Sequence, residues 1–187
     1  MSQQELLVQL IRFLNREQVP YMLTGSIVSS MQGEPRLTHD IDCIISCSPA
    51  IAASLNAEFP GPRFYCDETS VRAAVKDFGM FNLIDSISGD KIDFWILTDS
   101  PFDICRFSRR SSTAIFSETA WISTPEDTIL AKLNWSKISG GSEKQAADAL
   151  RVYQTNRDAL DHRYLASWVL QLGIREQWDD LQSRLNR

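Results

Sequence analysis

The stretch Tyr21–Ile45, YMLTGSIVSSMQGEPRLTHDIDCII, decides how the rest of the chain is read. Tyr21-Met22-Leu23 is an apolar run, short enough for a buried strand. Gly25-Ser26 breaks that strand and opens a helical stretch, Ile27–Gln32. Gly33-Glu34-Pro35 ends the helix, because Pro35 pushes Glu34 out of the α region. A polar link, Arg36–His39, leads into a second apolar run, Ile41–Ile45, with Asp40 and Asp42 at its mouth.

Side chains in a strand alternate faces, so Asp40 and Asp42 point the same way and Ile41 points oppositely. Two like charges at that spacing, just ahead of an apolar run, are costly unless a cation sits between them. Mg²⁺ is the natural candidate, since it prefers carboxylate oxygens and keeps positions open for substrate phosphates. Gly25-Ser26 at a strand-to-helix turn supplies the complement: backbone N–H groups at a helix start and one hydroxyl form an anion site. Together these features suggest a site for a metal and a nucleoside triphosphate. The bland alternative is that Asp40-Ile41-Asp42 forms a solvated strand edge.

Gly-Ser, a short helix, and then Arg36-Leu37-Thr38-His39-Asp40-Ile41-Asp42 resembles the signature of DNA polymerase beta-like nucleotidyltransferases. Within that superfamily the likeness is to minimal and abortive-infection-type members, and it covers about residues 20–150. The resemblance implies an α/β (α+β) fold: a small mixed sheet flanked by helices, with a C-terminal helical part. The expected division is a catalytic core over 1–123 and a helical part over 124–187 packed on it.

Composition agrees with a globular protein. The 187 residues are 43% hydrophobic and 23% charged, with a net charge of −5. The charge is uneven: residues 1–131 hold ten Lys/Arg against seventeen Asp/Glu, and residues 132–187 hold nine against seven. This balance suits a metal site reached by an anion and not wholesale nucleic-acid binding, which wants a strong basic patch. One dense basic cluster, Arg106-Phe107-Ser108-Arg109-Arg110, reads equally as a solvated loop and as a substrate contact. No run approaches the roughly 18 apolar residues of a membrane span, and MSQQELLVQL lacks the basic segment of a secretory signal. Cys43, Cys47, Cys66 and Cys105 lack the spacing and histidines of a zinc site. Reduced thiols in a cytoplasmic protein are therefore expected.

Along the chain, Ser2 and Glu5 make a capping box for a first helix running to about Gln18. Ser48-Pro49 opens a helix over Ala50–Glu58, Pro60-Gly61-Pro62 ends it, and a short strand at Arg63–Cys66 precedes a helix at Ser70–Phe78. Phe81–Leu97 reads as a β-hairpin with a two-residue Gly89-Asp90 turn, which sets Ser88 opposite Lys91 and Ser86 opposite Asp93. Asp93 is then a carboxylate in mid-strand, where an unpaired charge is costly, while Asp85 falls on the opposite face. The resemblance also implies a third catalytic carboxylate on a strand beside the first pair, and Asp93 matches it. The alternative is an edge-strand aspartate facing water.

Ser100–Arg110 mixes helix and loop, and Ala114–Ile122 holds a short strand or two. Thr124-Pro125-Glu126-Asp127 starts a helix that runs to Ile138, followed by one over Glu143–Thr155. The tail reads as two short helices around Gly173. The resemblance implies a phosphate-binding lysine on the helix opened by Pro-Glu-Asp, at Lys132; a solvated helix lysine explains it as well. Lys144 and Asp148 lie four apart, the spacing of an intrahelical ion pair.

His39-Asp40 alone does not make a His-Asp phosphohydrolase, because His162 is the only other histidine. The leading expectation is a nucleotidyltransferase with two Mg²⁺ ions held by Asp40, Asp42 and Asp93 and the nucleotide held by Gly25, Ser26 and Lys132. It would move a nucleoside monophosphate from a nucleoside triphosphate to a hydroxyl on a protein, a tRNA or a small molecule. A catalytically silent relative that binds a nucleotide or a partner is the second expectation, with an antitoxin among the candidate partners. A metal-dependent phosphatase is the third, and the Gly-Ser turn argues against it.

Overall fold

The computed structural model describes residues 1–36, 38 and 40–185. Leu37 and His39 of the polar link therefore lie outside the described residues. The chain divides into two compact units, Met1–Thr24 with Thr38–Ile122, and Gly25–Leu37 with Ser123–Arg187. Strands are β1 (Tyr21–Thr24), β2 (Asp40–Ile45), β3 (Phe64–Tyr65), β4 (Met80–Asp85), β5 (Lys91–Ile96), β6 (Ser111–Ile115) and β7 (Glu118–Ile122). Helices are α1 (Gln3–Arg16), α2 (Gly25–Gln32), α3 (Ile51–Glu58), α4 (Glu68–Asp77), α5 (Pro101–Ser108), α6 (Pro125–Ile138), α7 (Glu143–Asn156), α8 (His162–Gln171) and α9 (Arg175–Leu185).

All the strands belong to the first unit and form one mixed sheet in the order β3-β4-β5-β2-β1-β7-β6. β2 runs parallel to β5 and β1 parallel to β7, while the remaining neighbours are antiparallel. The small mixed sheet with flanking helices is thus the fold found. Register partners on parallel strands share a face. Ile41, Cys43 and Ile45 therefore line up with Ile92, Phe94 and Ile96, and all six are buried. Asp40, Asp42 and Ile44 line up with Lys91, Asp93 and Trp95 on the opposite face. There Met22, Ile44 and Phe107 form an apolar cluster with Trp95 and Leu97. Phe107 comes from α5, which Ser100 caps and Pro101 opens.

Both halves of the Ser2–Glu5 capping box are formed at the start of α1. Six apolar residues of α1, from Leu6 to Leu14, are buried, each worth about 1.5–3 kcal/mol. The ring of Phe13 meets Phe59 edge-on at 6.0 Å, and Phe59 meets Phe64 at 5.2 Å. At the end of α4, Phe78 takes a left-handed conformation, φ 53°, with its side chain mostly exposed. A Cβ is strained there, and glycine is the usual residue. Phe78→Gly is expected to raise stability by about 1 kcal/mol, read as a higher urea midpoint at unchanged slope. A lower midpoint would mean that the ring's contacts outweigh the strain.

The β4–β5 hairpin differs from expectation in register. Asn82, and not Ser86, lies opposite Asp93, and Ile84, and not Ser88, lies opposite Lys91. The turn is wider than Gly89-Asp90 because Asp85 organises it. Its carboxylate accepts from the Ile87 N–H at 3.0 Å and from Arg63 Nη2 at 2.7 Å, and the Gly89 N–H donates to its carbonyl at 2.8 Å. The Arg63 hydrogen bond, opposed by burial, holds the Asp85 pKa down to about 2. The slip is an even number of residues, so Asp93 and Asp85 still face opposite ways.

The second unit is helical. Thr124 caps α6 through the Asp127 N–H, with Pro125 in the first turn. α2 packs on both α6 and α7. At the end of α2 a Cβ on Gly33 would come within 3.0 Å of the Ser29 carbonyl oxygen and of the Val152 nitrogen of α7. Only glycine permits that approach. Tyr153 of α7 meets Trp178 of α9 edge-on at 5.9 Å. No helix among the described residues is long and apolar enough to cross a membrane.

Candidate active site

In the first unit, strand register sets a polar row across the sheet: Thr24 of β1, Asp42 of β2, Asp93 of β5 and Asn82 of β4. Adjacent strands lie about 4.8 Å apart, so the Asp42 and Asp93 carboxylates are neighbours. β2 and β5 are interior strands, so neither aspartate stands on a sheet edge. Asp93 is 7% exposed. Its Oδ1 accepts from Asn82 Nδ2, and its Oδ2 accepts from Lys91 Nζ at 2.8 Å. The same ammonium lies 3.6 Å from Asp40 Oδ1. Its hydrogen bond to Asp93 raises the Lys91 pKa against the opposing effect of burial, with Asp93 and Asp40 adding charge attraction.

The donor set suits a hard cation: three carboxylates on one face, two of them in register. Among the described residues no three Asp, Glu, His or Cys side chains are gathered into a metal cluster. A cation does bridge Asp40 and Asp93 in this structure, and it is the Lys91 ammonium. The residues thus fit a metal in kind, with a lysine standing in for part of its charge.

The second unit holds the other candidates. Gly25 follows directly on Thr24 and opens α2 with φ 68°, the left-handed region that favours glycine. The Ser26 hydroxyl accepts from Arg36 Nη2 at 2.8 Å. Arg36 also grips Asp148 with two bonds, Nε to Oδ1 at 2.9 Å and Nη2 to Oδ2 at 2.7 Å. Lys132 Nζ donates to the same Oδ2 at 2.9 Å, and the Ser29 hydroxyl lies 3.5 Å from it. Lys132 and Asp148 are both at least nine-tenths buried. Burial pushes the Asp148 pKa up, but the bonds from Arg36 and Lys132 outweigh it and hold the carboxyl below its usual range. Arg36, Lys132 and Asp148 together leave one net positive charge beside two serine hydroxyls.

Asp40, Asp42 and Asp93 are therefore brought together in one unit, and Ser26 and Lys132 in the other. Lys132 is not a solvated lysine. Asp148 pairs with Arg36 and Lys132 rather than with Lys144. Sequence reasoning missed Arg36, Asn82 and Lys91 as partners. Helical spacing did carry a signal for Asp148, which shares the buried side of α7 with Ala149 and Val152. The basic cluster near Arg106 is largely occupied locally. Arg106 pairs with Asp103 at 2.6 Å, and Arg110 lies over the rings of Phe107 and Trp121 at 4.3 and 5.2 Å. All four cysteines are free thiols.

No protein-family model matches the sequence, and no curated protein matches it. Solved structures do. A crystal structure of an antigenic nucleotidyltransferase-like protein from Paracoccidioides brasiliensis superposes with a TM-score of 0.62 at 16% identity, covering 98% of this chain and 91% of that one. The crystal structure of ANT(2″)-Ia in complex with adenylyl-2″-tobramycin gives 0.58 at 13%, covering 99% of each chain. A solution structure of the antibiotic-resistance factor ANT(2″)-Ia gives 0.58 at 14%, covering 98% and 97%. At these identities the likeness establishes the fold. The chain has the nucleotidyltransferase fold that the Gly-Ser and Asp-Ile-Asp resemblance implies.

Proposed function

We propose that this protein is a metal-dependent nucleotidyltransferase. The observation that carries the reading is the in-register pair Asp42 and Asp93 on adjacent interior strands, with Asp40 one strand repeat away on the same face. In this reading the three carboxylates are the metal and catalytic residues. Two Mg²⁺ ions, when bound, would polarise the α-phosphate and neutralise the charge that develops on it. Asp93 accepts the proton of the attacking hydroxyl. The hydroxyl oxygen then bonds to the α-phosphorus as the bond to the bridging oxygen breaks, and pyrophosphate leaves.

Gly25 and Ser26 are proposed to cradle the β- and γ-phosphates. The left-handed Gly25 supports this role, since a backbone without Cβ can approach an anion closely. Lys132 is proposed to stabilise phosphate charge together with Arg36, in a cluster whose net charge is positive. In the proposed division of the chain, 1–123 is the catalytic core and 124–187 the helical part that carries Lys132. The acceptor hydroxyl belongs to a protein, a tRNA or a small molecule. The small molecule is the class to try first, because a structural neighbour holds adenylyl-2″-tobramycin. The test is mass spectrometry of each acceptor class after incubation with each triphosphate and Mg²⁺. A mass gain of one nucleoside monophosphate supports the reading, and no gain on any acceptor counts against it.

A second reading, a silent nucleotide-binding relative with an antitoxin or other partner, draws on the Lys91 ammonium, which already neutralises charge at Asp40 and Asp93. Calorimetry separates the two. For the transferase, EDTA is expected to weaken triphosphate binding by about tenfold or more, equivalent to about 1.4 kcal/mol. Equal affinity with and without EDTA favours the silent binder.

A further inference from the structure

We infer that Lys91 is a built-in counter-cation that competes with divalent metal for the carboxylates, an inference that rests on the transferase reading. Lys91 sits one strand repeat before Asp93 on the same face of β5, and directly opposite Asp40 on β2. Its ammonium makes a 2.8 Å hydrogen bond to Asp93 Oδ2 and lies 3.6 Å from Asp40 Oδ1. One positive charge therefore spans the outer two of the three carboxylates. The second oxygen of Asp93 is held by Asn82. Both oxygens of this buried carboxylate are thus satisfied without a metal, and the metal-free sheet escapes the cost of uncompensated like charges.

Each oxygen of Asp93 that a divalent ion could approach already accepts a hydrogen bond, one from Lys91 and one from Asn82. The ion must also come within a few ångströms of an ammonium, a repulsion that falls off only slowly in a partly buried site. The side chain of Lys91 is 37% exposed, so on giving up the carboxylates its ammonium can move into water at modest cost. Lys91 is therefore a positioning residue. It keeps the carboxylates aligned when metal is scarce, and it sets the metal concentration at which they are taken over.

The test uses the full chain with Mn²⁺ or Mg²⁺ alone as the probe. Isothermal calorimetry on Lys91→Met should show divalent binding tightened by about tenfold or more, because a competing charge near the ion has been removed. Lys91→Arg, which keeps the charge, should stay near the wild type. The metal-free Lys91→Met protein should melt lower than the wild type, and saturating metal should restore much of the difference. The wild-type chain gives an independent readout: acetylation of Lys91, followed by mass spectrometry, should speed up when the protein is saturated with metal. Equal metal affinity in wild type and Lys91→Met, or unchanged acetylation of Lys91, overturns the role of Lys91 and leaves the transferase reading standing. Absence of divalent binding in every variant overturns both.

Discussion

Asp93→Asn is expected to lower nucleotidyl transfer by about three decades while the sheet stays folded. A metal held at the reacting phosphate supplies several kcal/mol of charge stabilisation, and at about 1.4 kcal/mol per tenfold this is roughly 10³ in rate. The substitution also removes the group proposed to accept the hydroxyl proton. Asparagine keeps the shape of the side chain and can still bond to Asn82. Lys91 retains Asp40 at 3.6 Å and is part-exposed, so the lost partner does not strand a buried charge. Turnover measured by product mass spectrometry should therefore collapse with a small change in melting temperature. The reverse pattern, a large loss of stability with transfer retained, would make Asp93 a structural residue.

Asp148→Asn is expected to have the largest effect on stability. Asp148 is a carboxylate that Arg36 and Lys132 share. Its neutralisation removes a counter-charge common to two cations, one of which, Lys132, is almost wholly buried. Breaking a buried ion pair from one side costs about 3–5 kcal/mol. For a chain of this size that lowers the melting temperature by on the order of 10 °C. The effect carries a pH signature. The Asp148 carboxyl titrates below its usual range when folded. Its stabilisation is thus fully present above the unfolded aspartate value, about 3.9, and is lost as pH falls through the lower folded value. The gap between wild type and Asp148→Asn should be widest near neutrality and shrink below about pH 4. A gap that does not change with pH would show that the ionised carboxylate is not what holds the cluster.

The fold was largely legible because its signals are local. Alternation in Asp40–Ile45, the Ser2–Glu5 box, the Thr124-Pro125 start and the break at Gly33-Glu34-Pro35 each act within a few residues. All have their expected outcome in the structure. The carboxylates Asp40, Asp42 and Asp93 could be singled out for the same reason: a charge beside an apolar run is visible in one dimension. What could not be read was pairing. The hairpin register turns on Arg63 reaching Asp85 across 22 positions, a contact that no turn dipeptide encodes. Asp148 has a nearby lysine at the ion-pair spacing, yet its partners come from α6 and from Arg36, 112 positions away. A local rule offers the nearest cation, whereas burial selects the cations that can reach the inner side of α7.

The chain passes between its two units three times, after Thr24, after Leu37 and after Ile122. This has a consequence for how the protein is made. Arg36 leaves the ribosome 112 residues ahead of Asp148. At about 5–20 residues per second, it waits roughly 6–20 s for its carboxylate. During that interval the strands from β2 to β7 are all synthesised before α6 and α7, the helices on which α2 finally packs. The 13 residues Gly25–Leu37 are therefore made ahead of the rest of their own unit, while the strands of the sheet emerge. Truncations that stop before α7 should prolong that state, leaving a sheet whose Gly25–Leu37 excursion has nowhere to dock.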